Sequence, residues 1–497
     1  MRYNSTRNSG ADVSAAAAIA RGISPEGGLY VPADMPRLSD ADFDALRAAD
    51  YAGRARLILS RFLTDFTDGE IADSVAGAYT GGRFDDDQPA PLVQLEKGVH
   101  ILELWHGPTC AFKDLALQIL PHLLTRSAKK MGDGKKTVIL VATSGDTGKA
   151  ALEGFKDVPD TEILVFYPED GVSPMQKLQM TTQEGANVFV AAIRGNFDDA
   201  QTGVKKIFTD PAVGEKLAAH NMAFSSANSI NWGRLVPQVV YYVSAYCDLV
   251  NQGADLSDGF DVVVPTGNFG NILAAYYAKC MGVPIARLVC ASNANNVLTD
   301  FLTTGTYDRN RQFYTTISPS MDILVSSNLE RLLYHMTGRD DKKVSGWMQA
   351  LSDTGRYTVD GDIADRLREL FWAGCCDDTE TKAVIREVYE KKGYLCDTHT
   401  AVAVGVYEKY KQQTGSGRPA VIASTASPFK FAASVLDALA PDKAQGSEFE
   451  MVNKLHEATG WKIPGPLAGL KGRAVRFDTD CEREHMLDVV YNRLGIR

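Results

Sequence analysis

Thr137-Val-Ile-Leu-Val-Ala-Thr-Ser-Gly-Asp-Thr-Gly148 runs from a β-branched, apolar stretch into a turn of small residues that leads to a helix. Val138–Ala142 show no polar alternation, the pattern of a strand covered on both faces in a parallel sheet. Strand, tight turn and helix together open a βαβ unit.

The same pattern recurs on either side. Val99–Leu104, Glu162–Tyr167, Asn187–Ile193, Phe260–Pro265, Ala286–Ala291 and Ala420–Ser424 are further short apolar runs. Helical patterns such as Asp114–Lys130 and Asn271–Met281 lie between them. The alternation predicts an α/β fold with right-handed crossovers. A helix-rich stretch from about Leu324 to Gly393 interrupts the strands, and no solenoid-type repeat is present. The first ninety residues differ: Val13–Ala20, Asp40–Ala49 and Ala52–Phe66 read as helices, and Phe84–Pro89 is acidic and turn-rich. We therefore expect a mainly helical N-terminal domain over 1–92, and a second region over 93–497 with a smaller α/β subdomain at roughly 130–225.

Composition narrows the function. The chain has 497 residues, 45% hydrophobic and 23% charged, which fits folded domains and excludes wholesale disorder. The net charge is −10 and the charges are dispersed, which argues against nucleic-acid and anionic-membrane partners. No run approaches the 18 or so apolar residues of a membrane span, and the N-terminus lacks a signal-peptide core. None of the eight cysteines forms C-x-x-C or a zinc spacing, so we expect reduced thiols, no metal site and a cytoplasmic protein.

Ligands of open parallel sheets bind beyond the carboxyl ends of the strands, and four such ends here carry unusual residues. His106–Asp114 places Lys113 at a helix start. A lysine there is a poor cap for a positive helix end; it is either a solvated surface charge or a buried amine with lowered proton affinity, suited to attack a carbonyl. Ala142–Lys149 is a tight turn or a ligand-approach loop; Thr143 and Ala150 stand where a nucleotide P-loop needs Gly and Ser/Thr, which excludes that motif. Pro265-Thr-Gly-Asn-Phe-Gly-Asn271 is either an Asn-capped turn or a phosphate cradle. Ala423–Lys430 offers hydroxyls that cap a helix or meet a ring nitrogen. One ligand accounts for all four ends. It needs a phosphate, an aldehyde and a heteroaromatic nitrogen, and pyridoxal 5'-phosphate has all three.

With these residues in view, the chain resembles the threonine synthase family of pyridoxal-phosphate enzymes with the tryptophan-synthase-β (type II) fold. The resemblance runs from Tyr3–Arg7 and Gly28–Pro32 through Leu102–Thr109, Phe112–Asp114 and Ala142–Gly148. It continues through Leu178–Thr182, Gly195–Gln201, Asn228–Trp232, Asn293–Asn296, Ser318–Ile323 and Ser326–Arg331. It implies two parallel-sheet α/β subdomains and a carbon–oxygen lyase acting on phosphates. The implied reaction takes O-phospho-L-homoserine and water to L-threonine and phosphate, the last step of threonine biosynthesis. Asn8 stands where family members often have Gly, and Ser427 where His is common, so no role falls to a histidine there.

The implied catalytic residue is Lys113, which also binds the cofactor. Gly267, Asn268, Phe269, Gly270 and Asn271 would hold the cofactor phosphate by backbone N–H groups, with Thr425 at the pyridine nitrogen. Ser144, Gly145, Asp146, Thr147 and Gly148 would hold the substrate carboxylate end, although Asp146, itself an anion, is better suited to capping the following helix. Arg234 and Lys177 are expected at the substrate phosphate, the guanidinium being the better bidentate partner. His106 is expected as a packed turn residue or a base, His399 as a cap or packing residue, and Phe112 as packing that keeps water from Lys113. A phospho-lyase releasing 2-oxobutyrate and a threonine dehydratase are the alternative activities. A non-catalytic binding or regulatory protein that keeps the fold is the alternative class. A monomer and a homodimer are both compatible with the sequence.

Overall fold

The structure is a computed structural model that describes every residue except 133, 144, 170, 171 and 497, and the side chains of 197 and 198. Its larger sheet holds β4 (Leu92–Glu96), β5 (Val99–Glu103), β10 (Phe260–Pro265), β11 (Ile285–Ser292), β14 (Phe371–Cys375) and β15 (Ala420–Ser424) in the order β14-β11-β10-β15-β5-β4. All neighbours are parallel except β4 and β5. The smaller sheet is wholly parallel: β6 (Lys136–Ala142), β7 (Thr161–Pro168), β8 (Val188–Arg194), β9 (Met222–Ser225) and β16 (Asp480–Glu482) lie in the order β16-β8-β7-β6-β9. A two-stranded ribbon joins β12 (Thr306–Asp308) to β13 (Arg356–Thr358).

The unbroken apolar runs follow from coverage of both sheet faces. Val262 and Val264 of β10 enter one core cluster with Ile272 and Leu273 of the helix Gly270–Cys280. Val263, between them, enters a second cluster with Val402 and Val406 of the helix Thr398–Thr414. Each fully buried aliphatic side chain of this kind contributes roughly 1.5–3 kcal/mol. Ile422 of β15 lies opposite both Val263 and Ile101, so β10, β15 and β5 end side by side along one edge.

One expectation needs correction. Asp114–Lys130 is two helices, Asp114–Leu117 and Leu120–Met131, because Pro121 cannot donate into a continuous helix and restarts it as a first-turn residue. The first ninety residues are mainly helical, as expected, and also carry a small antiparallel sheet, β2 (Asn8–Val13)-β1 (Tyr3–Ser5)-β3 (Tyr30–Pro32). The stretch read as helix-rich is so, and also holds β13 and β14. The helices Asp40–Ala48 and Tyr51–Phe62 form as expected, with Ser39 and Asp50 as caps. Ile58 and Leu59 share a core with Val239 and Tyr242 of the helix Pro237–Asn251, and Arg54 pairs with Asp248 at 2.7 Å across that contact. Among the described residues no helix is long and apolar enough to cross a membrane, and no cluster of His, Cys, Asp and Glu is arranged to hold a metal ion.

Candidate active site

The edge where β10, β15 and β5 end carries three of the predicted features. Lys113 follows β5 and is 9% exposed. The Phe112 N–H donates to the Thr425 carbonyl at 2.9 Å, and Ala111 bridges to Ala426, so the segments after β5 and β15 are stitched together. Lys113 Nζ donates to Ser320 Oγ at 3.3 Å and lies 5.4 Å from the centre of the Phe112 ring. Burial pushes its amine down; Asp146 pulls it up, Arg234 and Lys430 push it down again, and it settles at about 8. The structure thus favours the buried amine over the solvated surface lysine.

The loop after β10 is built to receive an anion. The Gly267 carbonyl accepts from Ser326 Oγ at 2.8 Å, and the Asn268 carbonyl accepts from Asn328 N at 3.1 Å and Nδ2 at 3.0 Å. The N–H groups of residues 267–271 donate to no protein acceptor among the described residues. Phe269 takes a left-handed conformation (φ 64°) as cap of the helix Gly270–Cys280, so free first-turn amides adjoin the loop amides. Glycine is required at 267, where a Cβ would lie 2.6 Å from the Ser320 carbonyl. The Asn271 Oδ1 accepts from the hydroxyls of Tyr241 and Tyr242, while its buried Nδ2 has no partner among the described residues and remains a free donor. Thr425 is buried, and its hydroxyl has no protein partner among the described residues. An aldehyde-reactive amine, an anion cradle and a free hydroxyl at neighbouring strand ends fit pyridoxal phosphate.

The turn after β6 faces this edge from the smaller sheet. Thr143 Oγ1 accepts from the N–H groups of Gly145 at 3.0 Å and Gly148 at 2.9 Å, so those amides are already used. The Asp146 and Thr147 amides and the Thr147 hydroxyl have no protein partner among the described residues. Ser144 lies outside the described residues. Gly145 (φ 145°) is a necessary glycine: a Cβ would strike the Gln176 amide at 2.5 Å. Asp146 is not the helix cap expected of it. Gly145 occupies the cap position, and the buried Asp146 carboxylate lies 3.6 Å from Lys113 Nζ, 2.5 Å from Lys430 Nζ and accepts from Gln176 Nε2 at 2.9 Å. Burial alone would push its acidity down; Lys430 and Lys113 outweigh that and hold the carboxyl far below the usual carboxylate range.

Arg234 is buried; its Nη1 donates to the Ala227 carbonyl at 2.7 Å, and no carboxylate pairs with it among the described residues. Burial pushes its guanidinium down to about 10, which leaves it charged at neutral pH. Its charge is among those that lower the Lys113 amine. Lys177, next to Gln176, is exposed, with Nζ 6.0 Å from the centre of the Tyr167 ring.

Four residues to which no role was assigned from sequence complete the site. Ser320 touches Lys113, crowds Gly267 and donates its N–H to His399 Nε2 at 3.2 Å. It lies in the family-like stretch Ser318–Ile323, 207 positions from Lys113. Gln176 is a capping-box residue of the helix Pro174–Thr181, and its amide also reaches Asp146. Asn328 lies in the family-like stretch Ser326–Arg331, and Lys430 ends the segment Ala423–Lys430. His399 is packed as expected, against Phe431, while Asp397 caps the helix and accepts from His399 Nδ1 at 2.8 Å. His106 is clamped between Asp85 at 2.7 Å and Glu103 at 2.8 Å. Burial lowers it, the two carboxylates more than reverse that, and it rises to about 9. That favours the packed reading over a free base.

Comparison with known proteins agrees with this geometry. Residues 2–79 match the family model "Threonine synthase N terminus", 84–426 match "Pyridoxal-phosphate dependent enzyme" and 400–477 match "Threonine synthase, C-terminal". Threonine synthase of Pseudomonas aeruginosa is 40% identical, covering 87% of this chain and 89% of that protein. "Threonine synthase-like 1" of Homo sapiens is 42% identical over 85% of this chain, which spans only 57% of that longer protein. The crystal structure of pyridoxal-phosphate-bound threonine synthase from Brucella melitensis superimposes with a TM-score of 0.87 at 38% identity, covering both chains fully. Matched along nearly its whole length by these models and relatives, the chain belongs to the threonine synthase family of pyridoxal-phosphate-dependent enzymes.

Proposed function

We propose that this chain converts O-phospho-L-homoserine and water to L-threonine and phosphate. The observation that carries the reading is the meeting of the Lys113 amine, the 267–271 amides and the Thr425 hydroxyl on one buried edge; the buried Arg234, with no carboxylate partner among the described residues, adds a cation for a second phosphate. Pyridoxal phosphate, when bound, supplies an electron sink for charge developing at the substrate Cα.

The chain supplies the rest. The amides of 267–271 would hold the cofactor phosphate, and Lys113 would hold the aldehyde. With substrate in the site, the Lys113 amine would accept the Cα proton and handle protons at Cβ. An amine near 8 suits both directions, since free base and ammonium are both accessible around neutral pH. Thr425 would offer the ring nitrogen a neutral hydroxyl in place of a carboxylate. Arg234 takes the substrate phosphate bidentately. The Asp146 and Thr147 amides and the Thr147 hydroxyl take the α-carboxylate. A threonine dehydratase has no use for a second phosphate-binding cation, so Arg234 speaks against it.

The 42% identity to a protein named threonine synthase-like 1 leaves room for an outcome other than threonine, and the second reading is a phospho-lyase that releases 2-oxobutyrate, ammonia and phosphate from the same substrate. Incubating the protein with O-phospho-L-homoserine, with and without added pyridoxal phosphate, separates the two. Threonine and phosphate in equal amounts support the synthase; 2-oxobutyrate without threonine overturns it.

A further inference from the structure

Lys430 is fully buried in the turn Pro428–Phe431 that follows β15. Its Nζ donates to the Thr109 carbonyl at 2.9 Å and lies 2.5 Å from Asp146 Oδ1. Asp146 Oδ2 is 3.6 Å from Lys113 Nζ, too far for a hydrogen bond, and the contact Lys113 does make is with the neutral Ser320 hydroxyl. One buried acid therefore stands between two buried lysines and is committed to the one that does no chemistry. A buried lysine given sole use of a carboxylate would form a closed ion pair and stay an ammonium.

We propose that Lys430 is a positioning residue that occupies Asp146 and so leaves the Lys113 amine free to capture the cofactor aldehyde. The surrounding charges fit this role. Arg234 adds a second cation to the Lys113 neighbourhood and brings no acid. Asp114, beside Lys113 in sequence, does not compete, because both its oxygens accept from Thr109, at 2.8 Å from N and 2.7 Å from Oγ1. The Cys110 thiol nearby is pushed up by burial and stays neutral. Gln176 reinforces the hold by donating to the same Asp146 oxygen that faces Lys430, so two donors anchor the carboxylate there while its other oxygen stays 3.6 Å from Lys113 Nζ.

The inference rests on Lys113 as the cofactor-binding amine, and its test keeps the two apart. Apo-protein is exposed to pyridoxal phosphate across a pH series, reduced with borohydride, digested, and the mass added to the Lys113 peptide is quantified. In Lys430→Met, Asp146 turns to Lys113, and the pH of half-maximal capture rises by about 1–3 units. In Asp146→Asn, Lys113 loses its acid and the midpoint falls. In the double variant Lys430→Met/Asp146→Asn the midpoint rises above that of Asp146→Asn only by the lost direct repulsion between Lys430 and Lys113, a smaller rise than Lys430→Met causes in the presence of Asp146. Lys430→Gln, which retains a donor for the Thr109 carbonyl, replaces the Met variant if that one does not fold, with the same upward shift. No added mass on Lys113 in the unsubstituted protein refutes the proposed function itself. Capture that is present but has the same midpoint in all variants, or that shifts the same way in Lys430→Met and Asp146→Asn, refutes the role of Lys430 alone.

Discussion

Gly267→Ala tests the phosphate cradle with a single methyl group. The added Cβ would lie 2.6 Å from the Ser320 carbonyl oxygen, 3.4 Å from Met321 Cα and 3.6 Å from the Ser320 carbonyl carbon. The first of these is well inside contact distance, and all three atoms are backbone, so no flexible side chain can yield. Overpacking of this kind costs about 1–3 kcal/mol. The same free energy, withdrawn from binding, weakens cofactor affinity by roughly 5- to 150-fold. The displaced segment carries Ser320, so the Lys113–Ser320 contact loosens as well. Gly270→Ala is the matched control for packing, because its Cβ meets nothing nearer than Asn328 Nδ2 at 3.5 Å. The assays are pyridoxal-phosphate titration followed by absorbance of the lysine-bound cofactor, and melting of the apo-protein. We expect Gly267→Ala to lose affinity by at least the lower figure and to melt earlier, with apo Gly270→Ala melting no earlier than the original chain. Unchanged affinity and melting in Gly267→Ala would refute the reasoning.

Other expected outcomes follow from the same geometry. Arg234→Met should raise KM for O-phospho-L-homoserine by tenfold or more, about 1.4 kcal/mol, while cofactor capture at Lys113 is retained; an unchanged KM removes Arg234 from the phosphate site. Lys177→Met, an exposed change on the helix Pro174–Thr181, should leave KM unaltered in the same assay. The pH dependence of capture has a definite sign. Burial lowers the Lys113 amine to about 8, so reactive free base increases as pH rises through 8 and levels off above it. A neutral fraction of about 10% at pH 7 replaces the less than about 0.1% of an ordinary lysine, and a midpoint above 10 would contradict the buried environment. His399→Ala removes the acceptor of the Ser320 N–H and should reduce kcat without preventing capture, read as turnover against borohydride-fixed mass.

Strand ends were readable because burial on both faces imposes an unbroken apolar run, and chemistry in such sheets gathers where those runs stop. The segments after β5, β10 and β15 were therefore found from local sequence, and register then brought them together. Side-chain direction was not readable. Asp146 has the residue type and place of a helix cap, yet its carboxylate is drawn to Lys430, 284 positions further along the chain. Gly145 and Gly148 looked like donors to a ligand, but Thr143, one turn back, takes both amides. Ser320, Lys430 and Asn328 reach the site only through tertiary packing, which no spacing rule encodes. Very short strands such as β1, β3 and β13 escaped because three residues carry no measurable period.

The central claim is that the Lys113 amine captures an aldehyde. Borohydride reduction of the protein mixed with pyridoxal phosphate, followed by peptide mass analysis, tests it most directly. The account predicts one added cofactor mass, on the peptide containing Lys113, abolished in Lys113→Ala. Added mass on another lysine, or undiminished labelling and turnover in Lys113→Ala, would contradict it.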